Sequence, residues 1–114
     1  MAKTFLKWKD RRSLLDNLKA SSESLSQAGR KLLAAGNYAE AAEFFRKAKD
    51  EAGLKDLLTL AVNEGDFFLY SLVNQYLSLN PTISALTALA KNAEGLGLDV
   101  YAAKALAGLK KIQP

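Results

Sequence analysis

An all-α fold is predicted for this chain by three observations. Apolar residues recur three and four apart through most of residues 24–111, Gly, Asn and Asp interrupt them at helical lengths, and no stretch alternates strictly as a half-buried strand would. At 114 residues, 49% of them hydrophobic and 25% charged, the chain fits one small domain. Folding a chain of this length removes about two-thirds of its unfolded surface from water. The expected architecture is a stack of antiparallel helical hairpins, about seven helices in all.

The first element read is a basic, flexible tail over 1–9, followed by a helix over 10–20 that caps the stack through Leu14, Leu15 and Leu18. Ser24 with Gln27 three residues on resembles a capping box, and Leu25, Ala28, Gly29, Leu32 and Ala35 form the stripe of the next helix up to Gly36. Asn37 with Glu40 repeats the capping pattern, and Tyr38, Ala41, Ala42, Phe45, Ala48 and Ala52 form a stripe that Gly53 is expected to stop. Two helices joined by Gly36-Asn37 must run antiparallel. A third helix is predicted over Leu54 to Asn63, ended by Gly65. Asp66 caps a fourth, apolar on nearly all sides and so the expected central element, with Phe67, Phe68, Leu69, Tyr70, Leu72, Val73, Tyr76 and Leu77. Asn80 and Pro81 suit the cap and first position of a helix using Ile83, Leu86, Leu89, Ala90 and Ala93, and ending at Gly95. Asp99 caps the last helix, whose stripe is Val100, Ala103, Leu106 and Leu109. The hairpins are thus 22–53, 54–80 and 81–112, within one helical-repeat domain over 10–114.

The turns repeat at a period of about thirty residues, since Gly36 precedes Gly65 by 29 and Gly65 precedes Gly97 by 32. The run Leu25-x2-Ala28-Gly29-x2-Leu32-x3-Gly36-x-Tyr38-x2-Ala41-x3-Phe45-x2-Ala48 resembles the tetratricopeptide repeat. Small Gly29 and Ala41 suit a close helix crossing, with Tyr38, Phe45 and Leu32 filling the space around it. Leu25, Ala28 and Leu32 depart from that family's usual Trp, Leu and Tyr, and Gly53 stands where a Pro would close the unit. The resemblance covers residues 24–53 in sequence and 54–111 in architecture alone; Ala52–Leu77 also looks like the degenerate hairpins of coat and transport-complex solenoids.

That resemblance implies a short α-solenoid whose concave face, made by the first helix of each hairpin, holds a peptide or partner helix. Aligned on Gly36 and Gly65, the groove positions are Glu23, Ser26, Arg30, Leu33 and Ala34, then Lys55, Asp56, Thr59 and Asn63. The family's carboxylate clamp needs Lys and Asn where this chain has Ser26 and Arg30, so that activity is not implied. Phe44, Phe68 and Tyr101, beside the main stripes, either pack under an adjacent hairpin or, if exposed, are further candidate anchors for a partner.

Composition narrows the function. With neither Cys nor His, the chain has no disulfide framework, no thiolate or imidazole metal site and no His-activated nucleophile. Gly95-Leu96-Gly97 lacks the rest of a phosphate-binding loop, and no carboxylate falls in an apolar stripe that would shift its pKa. No enzyme activity, cofactor or metal is expected. The formal net charge of +4 resides wholly in residues 1–20, where Lys7, Trp8, Lys9, Arg11 and Arg12 mix basic and aromatic side chains as nucleic-acid and anionic-membrane binders do. No apolar run approaches the eighteen or so residues of a membrane span, and charges occupy the place of a secretory signal's apolar stretch, which puts the protein in the cytoplasm. The leading expectation is a non-catalytic protein–protein interaction module, an adaptor or scaffold. The alternatives are RNA or anionic-membrane-surface binding through the N-terminal arm, and a self-assembling structural subunit, a homo-oligomer.

Overall fold

The computed structural model describes residues 21–112, and among them the fold is all-α, with six helices and no strand. They are α1 (Ser22–Ala34), α2 (Tyr38–Ala48), α3 (Glu51–Asn63), α4 (Phe67–Leu77), α5 (Ile83–Gly95) and α6 (Asp99–Ile112). The tail expected over 1–9 and the capping helix expected over 10–20 lie outside the described residues.

All five junctions close in the same way. One residue turns left-handed, and the N–H of the next residue donates to the carbonyl five positions back: Asn37 to Leu32, Asp50 to Phe45, Asp66 to Ala61, Leu79 to Asn74 and Leu98 to Ala93, at 2.8–2.9 Å. This is the Schellman arrangement, which satisfies carbonyls that a helix end would otherwise leave open. Glycine supplies the positive φ at Gly36, Gly65 and Gly97, whereas Lys49 (58°) and Ser78 (56°) adopt it with a side chain in place. Such a residue pays about 1–2 kcal/mol of steric cost. The pair Lys49 and Ser78 is again 29 residues apart, so the period seen in the glycines extends to the turns that have none.

Helix starts are fixed by side-chain oxygens that accept otherwise orphaned N–H groups. Ser21 Oγ accepts from Ser24 N–H (3.0 Å), Asp50 Oδ1 from Gly53 (3.0 Å), Asp66 Oδ1 from Leu69 (3.0 Å) and Thr82 Oγ1 from Ala85 (3.1 Å). Three expected boundaries are corrected by these caps. The first described helix is capped by Ser21 rather than Ser24, α3 starts at Glu51 rather than Leu54, and α5 is capped by Thr82 rather than Asn80, leaving Pro81 outside the helix. Asn37 occupies the cap position of α2 without a side-chain cap bond. Removing the Asp66 carboxylate by Asp66→Ala is expected to cost about 0.5–2 kcal/mol in urea unfolding, and Asp66→Asn far less, because Asn caps equally well.

The described residues fall into two units, one up to Leu54 and one from Lys55 onward. In the first unit α1 packs on α2 and buries Leu25, Ala28, Leu32, Ala41, Ala42, Phe44, Phe45, Ala48 and Leu54. The Phe45 ring lies between two glycines. A Cβ on Gly29 would come within 2.6 Å of the ring and one on Gly53 within 2.7 Å. Gly53 is therefore a buried packing residue inside α3 and not a stop signal; the stop is Lys49, and Ala52 belongs to α3, where it is exposed. Phe44, a candidate exposed anchor by sequence, is fully buried beside it in the chain.

In the second unit α6 packs on α5 and touches α4. The buried set is Leu57, Ala61, Leu69, Tyr70, Val73, Leu86, Leu89, Ala90, Ala93, Ala102, Ala105 and Leu109, together with Asn74. The last helix turns a different face inward from the one expected. Ala102, Ala105 and Leu109 are buried, while Val100 is 67% exposed and Ala103 and Leu106 face solvent. Small residues win the inner face because the helices approach closely: a Cβ on Gly108 would already meet Leu86 Cδ1 at 3.3 Å. Ile83, expected in the core, is exposed at the start of α5. The turn at Gly65 lies against the backbone of Ala93, and Asn92 Nδ2 donates to Val62 C=O at 2.7 Å, tying α5 to α3.

Candidate functional site

The groove positions inferred from the repeat fall on two helices. On α1, Ser26 and Leu33 are half-buried and Arg30 is exposed, its guanidinium carbon 5.3 Å from the Phe45 ring centroid. That distance makes Arg30 a cation–π lid on the first unit's core residue. On α3, Lys55, Thr59 and Asn63 are exposed, and Thr59 Oγ1 donates to Lys55 C=O within the helix (3.3 Å). Lys7, Trp8, Lys9, Arg11 and Arg12 lie outside the described residues.

Thr59 and Asn63 meet a feature that the apolar stripes do not mark. They line a cleft of about 370 Å³ in the second unit, formed with Leu58 and Val62 of α3, Tyr70 and Asn74 of α4, the connection carrying Leu79, Asn80 and Thr82, and Ala85 of α5. No Asp, Glu, Lys or Arg contributes to this lining. Its volume lies within the range of ligand pockets, where apolar walls supply contact area and a few polar groups fix orientation. Tyr70 is 2% exposed, and its Oη accepts from Thr82 N–H at 3.2 Å. Asn74 is 5% exposed, and its Nδ2 has no hydrogen-bond partner. A buried amide without an acceptor costs on the order of 1–3 kcal/mol.

Comparing each unit by itself at the 29-residue offset shows what kind of place this is. Gly29, Arg30 and Phe45 of the first unit correspond to Leu58, Thr59 and Asn74, and Gly53, third after the Asp50 cap, corresponds to Ala85, third after the Thr82 cap; all four counterparts line the cleft. Where the first unit inserts a phenylalanine ring between two glycines under an arginine, the second has an amide among larger neighbours and an open cleft. The signal was present in the sequence as the pairing of Phe45 with Asn74, readable once the repeat is extended past its glycines.

The remaining aromatic candidates come together elsewhere in the second unit. Phe68, 57% exposed, and half-buried Tyr101 line a shallower cleft of about 250 Å³ with Phe67, Ser71 and Lys104. Among the described residues no helix is long and apolar enough to cross a membrane. Comparison of the chain with models of known families, with curated proteins and with solved structures returned no match.

Proposed function

We propose that this protein is a non-catalytic protein–protein interaction module of the cytoplasm, an adaptor or scaffold whose helical hairpins stack as a short tetratricopeptide-like solenoid and hold a peptide or partner helix. The uncharged, apolar-walled cleft lined by Thr59 and Asn63 carries this reading, because two positions chosen as partner contacts by repeat alignment lie on its wall. The exposed aromatic pair Phe68 and Tyr101 adds a second surface of the kind that anchors partners. A second reading, binding of RNA or anionic membrane surfaces, rests on the net positive charge of residues 1–20.

Selection of linear peptides from a random library against the full chain and a chain lacking residues 1–9 tests both. Under the interaction reading, the same peptides bind both chains with affinities that change little between low and high salt. Salt-sensitive binding of labelled RNA or anionic vesicles by the full chain, lost with the nine residues and accompanied by no selected peptide, overturns it in favour of the arm.

A further inference from the structure

The cleft of the second unit combines three properties that point to one kind of occupant. It stands at the repeat position that an aromatic ring fills in the first unit. Its lining holds no charged residue. And Asn74 on α4 is buried with its Nδ2 donor unpartnered, one turn from Tyr70, whose hydroxyl accepts from Thr82 N–H. Buried donors left open in a folded protein are either a stability defect or the half of a hydrogen bond that a ligand completes.

Resting on the interaction-module reading, we propose that this cleft is a docking slot for an aromatic side chain of a partner peptide, whose main-chain carbonyl accepts a hydrogen bond from Asn74 Nδ2. The ring supplies the apolar contact that Phe45 supplies within the first unit, against Leu58, Val62, Leu79 and Ala85. The carbonyl satisfies the amide. An uncharged acceptor suits the site, because nothing in the lining would neutralise a carboxylate or an ammonium. Thr59 in place of the arginine at the equivalent position leaves the slot without the cationic lid that Arg30 forms over Phe45.

The test titrates N-acetyl-phenylalaninamide, a ring with neutral amide carbonyls, into the isotope-labelled full chain, following the Asn74 side-chain amide and the backbone amides of Leu58, Val62 and Thr82 by NMR. Saturable shifts of these resonances are expected, with none from N-acetyl-lysinamide. Asn74→Leu keeps the γ-branched shape and removes the donor. It is expected to weaken the probe about tenfold while leaving the melting temperature unchanged or higher, because a buried unsatisfied amide is gone. Ala85→Phe, which crowds the rim from the first turn of α5, is expected to abolish the shifts with the helical spectrum intact. Probe binding unaffected by either variant overturns the slot, as does a sharp loss of stability in Asn74→Leu, which would mean the amide serves the fold. Concentration-dependent shifts of the same resonances without probe would hand the slot to a second copy of the chain and overturn the partner peptide. The two readings fail separately: selected peptides that bind without moving Asn74 sink the slot and leave the module standing, whereas a library yielding no peptide sinks the module and leaves the titration to decide the slot.

Discussion

Phe45→Ala is expected to destabilise the protein by about 3–5 kcal/mol, a large part of the 5–15 kcal/mol that typically holds a domain of this kind together. The ring is fully buried, and its surroundings are built around it. Gly29 on α1 and Gly53 on α3 each come so near that a single added methyl would strike the ring, and Arg30 lies over it. Neither glycine has a side chain that could swing in to fill the void, and filling it with the Arg30 guanidinium would bury a charge, so the cavity persists. Phe44→Ala is expected to cost a similar amount, since Phe44 is equally buried. Urea unfolding followed by helical circular dichroism measures both. A loss below about 1 kcal/mol for either would remove that ring from the core.

Gly65→Ala is the second large effect, at about 2–5 kcal/mol from overpacking and left-handed strain together. Gly65 sits at φ 64°, and a Cβ there would approach Ala93 Cα and N within 2.6 Å. Those are backbone atoms of α5, which no rotamer change can move. Gly36→Ala is the matched control, because Gly36 also has positive φ but open space around it. Strain alone remains there, at about 1–2 kcal/mol. Equal losses at the two glycines, read from the same unfolding curves, would show that the Ala93 contact yields at no cost.

The turns at Gly36, Gly65 and Gly97 were legible because glycine is the residue that left-handed backbone prefers. Those at Lys49 and Ser78 were not. Nothing in a Lys or Ser announces positive φ, and so the stripe predicts that α2 runs on to Gly53, whose smallness serves the Phe45 ring instead of a turn. The same ambiguity hid the true face of α6: its larger residues Val100 and Leu106 suggested the stripe, yet Ala102 and Ala105 take the inner side, where close approach rewards small volume over hydrophobicity. Phe44, beside the main stripe of α2, reads either as packed under a neighbouring hairpin or as exposed to a partner; the structure buries both adjacent rings, as a helix covered on a broad face permits. Of the groove positions, Thr59 and Asn63 reached a cleft because they share α3 with Leu58 and Val62, whereas Arg30 is engaged with Phe45. Asn74 carries no mark in the sequence, because one amide in a strongly apolar helix reads as a surface residue, whereas the structure buries it.

The surroundings of Phe45 have a bearing on how the chain is made. Gly29, Arg30 and Gly53, the groups shown around that ring, all lie between residues 29 and 53, and the junctions on either side of α2 are closed by backbone bonds spanning five residues. A ribosome adds roughly 5–20 residues per second, while closing a ten-residue loop takes tens of nanoseconds and helices form within about a microsecond. Every group in that sandwich is therefore available to its partners while the residues beyond α3 are still being synthesised, and the first hairpin's most costly apolar surface need not wait, exposed to aggregation, for the end of translation.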